Sequence, residues 1–325
     1  IGVEHERFLF EGQNKKRISY QTLKKLFENL KNNGWQPLYE KENIIGMKRD
    51  NQQITTEPGL QCELSGAPLE NIHQVCSESS KFLKEIEFAS KGLDINTVSI
   101  GFDPFNNLTD VPQSPKTRYK IMTKEMPKGG KQSLEMMYRT CGIQINYDYT
   151  SESNFEKIFR LGNYLTPLTI ALYSNSPFES GKPTGYYSYR NKVWQSTSRG
   201  GIMPIAFEKM TFEKYFDYAI EYPVLFAKRN NYIEPNGQSF KDFILGNFAN
   251  IKDEANLKDF ETHLATIFTE VRLKQYIEVR SLDACDWQCL CDGPAFFTGL
   301  FYDTLDEAYE IVMKWKKDNV MNAYL

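Results

Sequence analysis

Ile54–Pro68, ITTEPGLQCELSGAP, is the stretch on which the fold of this chain turns. Its second half, Leu60-Gln61-Cys62-Glu63-Leu64-Ser65, alternates apolar and polar residues with period two. As a strand it turns Leu60, Cys62 and Leu64 to one face and Gln61, Glu63 and Ser65 to the other. A carboxylate therefore sits mid-strand, with Glu57 a few residues upstream. One wetted strand face means little in an antiparallel sheet, but the pattern recurs near both ends of the chain. Gly2-Val3-Glu4-His5-Glu6-Arg7-Phe8 puts Glu4 and Glu6 on one face, and Tyr276–Leu282 puts Glu278 and Arg280 together against Ile277 and Val279. Gly142–Asp148 gives Gln144, Asn146 and Asp148 one face and Ile143, Ile145 and Tyr147 the other. If these strands share a sheet, one of its faces is lined with carboxylates, amides and a guanidinium.

Crowded carboxylates repel by several kcal/mol for close pairs at reduced dielectric, so they are seldom assembled without a cation to hold. Oxygen ligands of this kind suit Mg²⁺ or Mn²⁺, which usually keep substrate phosphates in their shell. Pattern alone leaves a plainer reading open, that of four ordinary solvated sheet faces.

The 325 residues suffice for a full core, and the absence of a Pro/Ser/Gly-rich linker predicts a single domain over 1–325. A formal charge of -3 with mixed signs gives no footprint for nucleic acid and no polybasic tail for a membrane. The longest apolar run, Leu165–Tyr173, is too short to span a bilayer. The chain begins at Ile1 without a methionine, which leaves a targeting segment upstream open. Cys285, Cys289 and Cys291 are spaced C-x3-C-x-C, which matches neither structural zinc nor cluster spacings; free thiols or a redox-formed disulfide are expected instead.

Leu23, Leu26, Phe27 and Leu30 predict an amphipathic helix over 19–33 ending at Gly34. A hairpin with Asp50-Asn51 as its turn leads into the deciding strand. A long helix is expected over 69–90, with His73 at its surface or cap, and a strand over 98–102. The Pro- and Asn-rich segment 103–118 reads as a functional loop. MPKGGK (126–131) lacks phosphate-loop spacing and reads as a turn. A short helix is expected over 154–161, while 166–173 fits either a helix or a strand. Asn175–Arg190, dense in Gly, Pro and Ser, is the candidate substrate loop. Helices are predicted over 212–219, 240–248, 257–268, 295–302 and 304–317.

GVEHERF, ITTEPGLQCELSGAPLENIHQ, KTRYKIM, MMYRTCGIQIN, LYSNSPFESGKPTGYYSYR and TEVRLKQYIEVRSLD resemble, in order, motifs of the plant and proteobacterial glutamate-cysteine ligases. The resemblance runs from about Gly2 to about Tyr302. It implies an α+β fold like that of glutamine synthetase, a curved antiparallel sheet forming a funnel with helices outside. It also implies ATP and Mg²⁺ as the requirements for coupling L-glutamate to L-cysteine, the first step of glutathione synthesis. By this resemblance Glu4, Glu6, Glu57, Glu63 and Glu278 match metal-coordinating carboxylates, and Arg280 matches the arginine beside the phosphoryl path, with Glu278 as its catalytic neighbour. Arg118 and Arg190 match positions associated with glutamate, where a guanidinium fork suits a carboxylate.

An amide forms from a carboxylate only after activation. Transfer of a phosphoryl group supplies it, and the protein must then provide cations for the phosphates and anchors for the amino acid. Gln144 and Asn146 are placed to donate to substrate or to complete a metal shell. Trp194 reads either as a pocket wall or as core. Arg272, Lys274, Lys120 and Arg139 are candidate nucleotide contacts, or charges on a solvated face. Arg280 reads otherwise as an ion-pair partner of Glu278. With only His5, His73 and His263, histidine-based nucleophilic catalysis is poorly supported, and His5 faces away from Glu4 and Glu6. The segment CDWQCLC departs from the family's usual small-residue stretch, and the chain ends sooner than members usually do. Both leave the acceptor open between cysteine and another amine. A catalytically silent relative is the remaining alternative. A cytoplasmic monomer or homodimer is expected.

Overall fold

In a computed structural model, which describes residues 1–234, 236–248, 251 and 253–325 (backbone only at Gln288 and Cys289), the N-terminal strand is the hub. β1 (Gly2–Glu11) pairs with four others: β2 (Lys16–Arg17), β6 (Cys62–Ser65), β7 (Ile95–Val98) and β8 (Gly142–Tyr147). With β3 (Gln36–Glu40), β4 (Asn43–Arg49), β5 (Gln52–Thr56), β15 (Val271–Leu273) and β16 (Ile277–Asp283) they form one antiparallel sheet of ten strands. Its main path runs β15-β16-β8-β1-β6-β5-β4-β3. Three small pairs lie outside it: β9 (Phe178–Glu179) with β10 (Lys182–Pro183), β11 (Gly200–Gly201) with β14 (Phe268–Thr269), and β12 (Ala227–Lys228) with β13 (Tyr232–Ile233).

Period-two patterning gives this sheet one dry and one polar face. Leu9, Ile54, Leu60, Cys62 and Leu64 pack on α1 (Tyr20–Leu30) and α2 (Ile72–Ser90). Val3, Ile143, Ile145, Ile277, Val279 and Leu282 pack on α5 (Glu152–Leu172) and α10 (Trp287–Thr298). Each such side chain, fully buried, contributes about 1.5–3 kcal/mol. The remaining helices are α3 (Thr117–Glu125), α4 (Ser133–Arg139), α6 (Tyr189–Gln195), α7 (Phe212–Ile220), α8 (Phe240–Ile244), α9 (Leu257–Leu264), α11 (Leu305–Val312) and α12 (Lys317–Tyr324). Among the described residues no helix is long and apolar enough to cross a membrane.

Local signals act as expected at α1, where the Ser19 hydroxyl caps Thr22 N–H and Gly34 closes the following 3-10 turn at φ +84°. Elsewhere packing overrides them. The expected short helix at 154 and the ambiguous segment at 166 are one helix, α5, which runs through Pro167 because its Phe155, Ile158, Phe159, Leu161 and Leu165 are buried. The strand expected over 98–102 ends at Val98, with Phe102 in an isolated bridge to Thr140. The helix expected over 304–317 is α11, and α12, which follows it, was not foreseen. Cys76 and Cys291 form a disulfide joining α2 to α10 (Cα–Cα 5.7 Å), so Cys291 is not part of a three-thiolate group. The Cys289 side chain lies outside the described residues. Cys62 and Cys141 are free and buried.

Candidate active site

Register does most of the assembly. Glu4 stands opposite Ser65 on one side and Gln144 on the other; Glu6 stands opposite Glu63; Glu278 stands opposite Asn146 and Arg272. The four polar strand faces read in the sequence are thus neighbours on one side of one sheet. Glu57 arrives by a different route. The chain leaves β5 in a tight turn in which Leu60 N–H donates to the Glu57 carbonyl at 3.0 Å and Leu60 takes φ +59°. The Gln61 side chain holds that turn, accepting from Gly59 N–H at 2.8 Å. Gln61 is therefore structural rather than part of the polar row.

The first turn of α3 lies against Glu57. The Tyr119 hydroxyl donates to Glu57 Oε1 at 3.0 Å and accepts from Arg118 Nη2 at 2.9 Å, while Lys116 Nζ donates to the Thr56 carbonyl at 2.8 Å. Burial, with the neighbouring Arg118 charge, lowers the Lys116 ammonium to about 8. On the far side a β-bulge between Val279 and Leu282 interrupts the β16–β8 register. Bulges of this kind re-aim side chains beside active sites. Here Glu278 and Arg280 stay on the polar face while Leu282 returns to the core.

These groups wall a cavity of about 390 Å³ containing Glu4, Glu6, Glu57, Glu63, Arg118, Gln144, Arg272, Lys274 and Arg280. A groove of about 1100 Å³ elsewhere on the molecule runs past Asp148, Lys157 and Asp306, with none of these residues in it. Asp148, expected beside Gln144 and Asn146, lies past the end of β8 on that other groove.

The electrostatics of the cavity are uneven. Glu278 is bound by Arg272 through two bonds, Nη2–Oε1 at 2.8 Å and Nε–Oε2 at 2.9 Å, by Lys274 Nζ at 2.9 Å, and by Arg280 Nη1. Burial opposes its charge, yet Arg272, Arg280 and Lys274 together hold it well below the usual carboxylate range. Both oxygens of this expected metal ligand are thus engaged by cationic side chains. Among the described residues Glu63 accepts hydrogen bonds from hydroxyls, Ser65 Oγ at 2.9 Å and Thr55 Oγ1 at 3.3 Å. Burial and the charges of Glu57, Glu4 and Glu6 push it well above the usual range. Glu6 is raised to about 7 by burial and by Glu57, and Glu4 is raised by burial and by Glu278. Gln144 bridges the two sides, accepting from Arg280 Nη1 and donating to Glu6 Oε1 at 2.9 Å.

Three expected substrate residues stand behind this wall. Asn146 donates to Glu4 Oε1 at 3.1 Å. Arg190 is buried, with Nη2 donating to the Arg280 backbone carbonyl at 2.9 Å. Trp194 is buried in an apolar cluster with Phe102 and Tyr138. Arg139 pairs with Glu135 and Glu179 away from the cavity, and Lys120 is also absent from its lining. His5 bonds Ser79 Oγ at 2.9 Å on the opposite face of β1, as its strand position requires. Sequence reasoning missed Tyr119, Met122, Phe226, Lys228, Tyr232 and Phe268, all on the cavity wall. Tyr119 adjoins Arg118 in KTRYKIM and was open to detection. Phe226, Lys228 and Tyr232 come from the β12–β13 hairpin, whose sequence carries no periodic signal.

Among the described residues, no group of three or more His, Cys, Asp or Glu side chains is arranged to hold a metal ion by itself. A protein-only cage is not what Mg²⁺ requires, because it is commonly bound by one or two carboxylates together with substrate phosphates. Glu4, Glu6, Glu57 and Glu63, crowded together, with burial and neighbouring carboxylates raising Glu4, Glu6 and Glu63, are chemically suited to such an ion.

Buried carboxylates beside a guanidinium cluster, on one face of an antiparallel sheet, have the chemistry that phosphates and cations would need. The model of glutamate-cysteine ligase family 2 matches residues 1–324, and the chain belongs to that family. Its relatives include glutamate–cysteine ligase B, chloroplastic, of Oryza sativa subsp. japonica, 42% identical over 98% of this chain and 66% of the relative. The chloroplastic glutamate–cysteine ligases of Nicotiana tabacum (42% over 97% of this chain and 62% of the relative) and Arabidopsis thaliana (40% over 98% and 62%) are similar to the same extent. The chain spans slightly less than two thirds of the length of these relatives. Their names correct one expectation: relatives described as chloroplastic argue against a cytoplasmic location.

Proposed function

We propose that this protein carries the active site of an ATP-dependent ligase joining the γ-carboxylate of L-glutamate to the amine of L-cysteine, the first step of glutathione synthesis, in a plastid. One observation carries the reading. Glu4, Glu6, Glu57 and Glu63 share a single cavity with Arg118, Arg272, Lys274 and Arg280, as a reaction between a triphosphate and an amino acid requires. The names of the relatives supply the substrates. A glutamine synthetase-like funnel is the architecture that goes with this reading, supported by a wholly antiparallel main sheet whose polar face lines the cavity.

Glu4, Glu6, Glu57 and Glu63 would hold Mg²⁺. When bound, the ion neutralises phosphate charge. The protein's own groups then divide the work. Arg280, fixed by Glu278 and Gln144, presents a guanidinium to the transferred phosphoryl group. Arg272 and Lys274, tethered to Glu278, offer positive charge to the nucleotide. Arg118 offers its fork to an amino-acid carboxylate. Met122, Phe226 and Phe268 form an apolar stretch of wall that excludes water from an acyl phosphate and suits a small apolar or thiol side chain on the acceptor. ADP release measured with glutamate and a panel of amines tests the proposal. Release that depends on cysteine is expected; release with another amine and none with cysteine contradicts it.

A further inference from the structure

Two arginines approach one indole. The Arg190 guanidinium carbon lies 4.8 Å from the centre of the Trp194 ring, and that of Arg280 lies 5.3 Å from it. Both are within the roughly 6 Å at which a cation is drawn to the negative face of an aromatic ring. Arg190 and Trp194 are four residues apart on α6 and so share a side of that helix, whereas Arg280 comes from β16.

The arginines are also tied to each other, since Arg190 Nη2 donates to the carbonyl of Arg280 itself. Space for this is kept by Gly142, where a Cβ would stand 2.7 Å from Arg190 Nη2. The closest acidic partners of the two arginines differ: Asp283 stands 3.9 Å from Arg190, and Glu278 holds Arg280. Both arginines share the charges of Glu6 and Glu270, and both also share the indole. Trp194 does not reach the cavity, and its buried Nε1 has no hydrogen-bond partner among the described residues, so its neighbours use the ring face and not the N–H.

We propose that Trp194 is a positioning residue whose ring attracts both the Arg190 and the Arg280 guanidinium, so that Arg280 stays presented to the cavity. The inference deepens the ligase reading and rests on it, because it takes Arg280 as the group facing the transferred phosphoryl. Arg190 then acts through Arg280, bracing the strand carbonyl from behind.

Fluorinated tryptophans placed at position 194 by stop-codon suppression test this, since each fluorine drains the ring face while leaving its shape nearly unchanged. The logarithm of kcat should fall steadily from tryptophan through mono-, di- and trifluoro analogues, about twofold to threefold per step. The KM for ATP should stay within about twofold, because Arg272 and Lys274 are untouched. Trp194→Phe should keep about tenfold more of kcat than Trp194→Leu, as only the former retains a ring face. A flat fluorine series with active wild-type enzyme removes the positioning role and leaves the ligase reading standing. Wild-type protein that releases no ADP with glutamate and any amine removes both.

Discussion

Glu278 and Glu63 lie on the same face of the same sheet, both buried, and they are opposites. Glu278 is enclosed by three cationic side chains. Glu63 has hydroxyls for partners and three other carboxylates for neighbours. The first is a finished ion cluster, whose charge the protein balances by itself. The second is unfinished: burial and its neighbours disfavour its charge, and in the proposed function an entering cation would balance it. The difference separates scaffold from site. Around Glu278 the carboxylate holds Arg272, Lys274 and Arg280, whereas in the proposed function the carboxylates around Glu63 are themselves the ligands offered to a metal ion.

Removing the guanidinium nearest the reaction should produce the largest effect. Arg280→Ala is expected to cut kcat by roughly 10³-fold or more, the scale of arginines that stabilise phosphoryl transfer. The fold should persist, because Glu278 keeps Arg272 and Lys274. Turnover unchanged in steady-state assays would remove Arg280 from the chemistry.

The two carboxylates should next differ in the sign of their stability change. Glu278→Gln leaves two buried guanidiniums and the partly exposed Lys274 ammonium without their counter-charge and should cost on the order of 3–5 kcal/mol in urea denaturation. Glu63→Gln relieves repulsion, so cation-free protein should be as stable as wild type or more so, while activity falls. Equal losses of stability would mean that the two ends of the cavity are not distinct after all.

A smaller effect concerns pH. Folded Glu6 holds its proton to about 7, whereas an unfolded glutamate releases it near 4.5. Between those values the folded state binds more protons, so the stability this group contributes is present below about 4.5 and is lost as pH rises to about 7. Thermal midpoints of cation-free protein should therefore fall over that window, and Glu6→Gln should flatten the fall.

The polar wall was legible in the sequence because a strand has a period of two: Glu4 and Glu6, Glu63, Gln144, and Glu278 with Arg280 all declare their face two residues at a time. What brings them side by side is strand order, and no residue pattern states that β1 lies between β6 and β8. Arg190 shows a second limit. Its residue type suits a carboxylate, yet helix α6 turns it onto Trp194 and the Arg280 carbonyl, a direction set by packing. The aromatic wall was hidden because Phe226 and Tyr232 sit in a short hairpin whose position depends on tertiary contacts alone. Segment 166–173, open between helix and strand in the sequence, is helical despite Pro167, since a helix buried along one side absorbs the bond that proline removes.

Titration of Mn²⁺ into wild-type, Glu63→Gln and Arg280→Ala protein, with a non-hydrolysable ATP analogue present and bound metal read by electron paramagnetic resonance, tests the unfinished-site account most directly. Glu63→Gln should weaken Mn²⁺ binding by at least about tenfold, while Arg280→Ala should bind the metal nearly as wild type does. Equal Mn²⁺ affinity in wild type and Glu63→Gln would contradict the account.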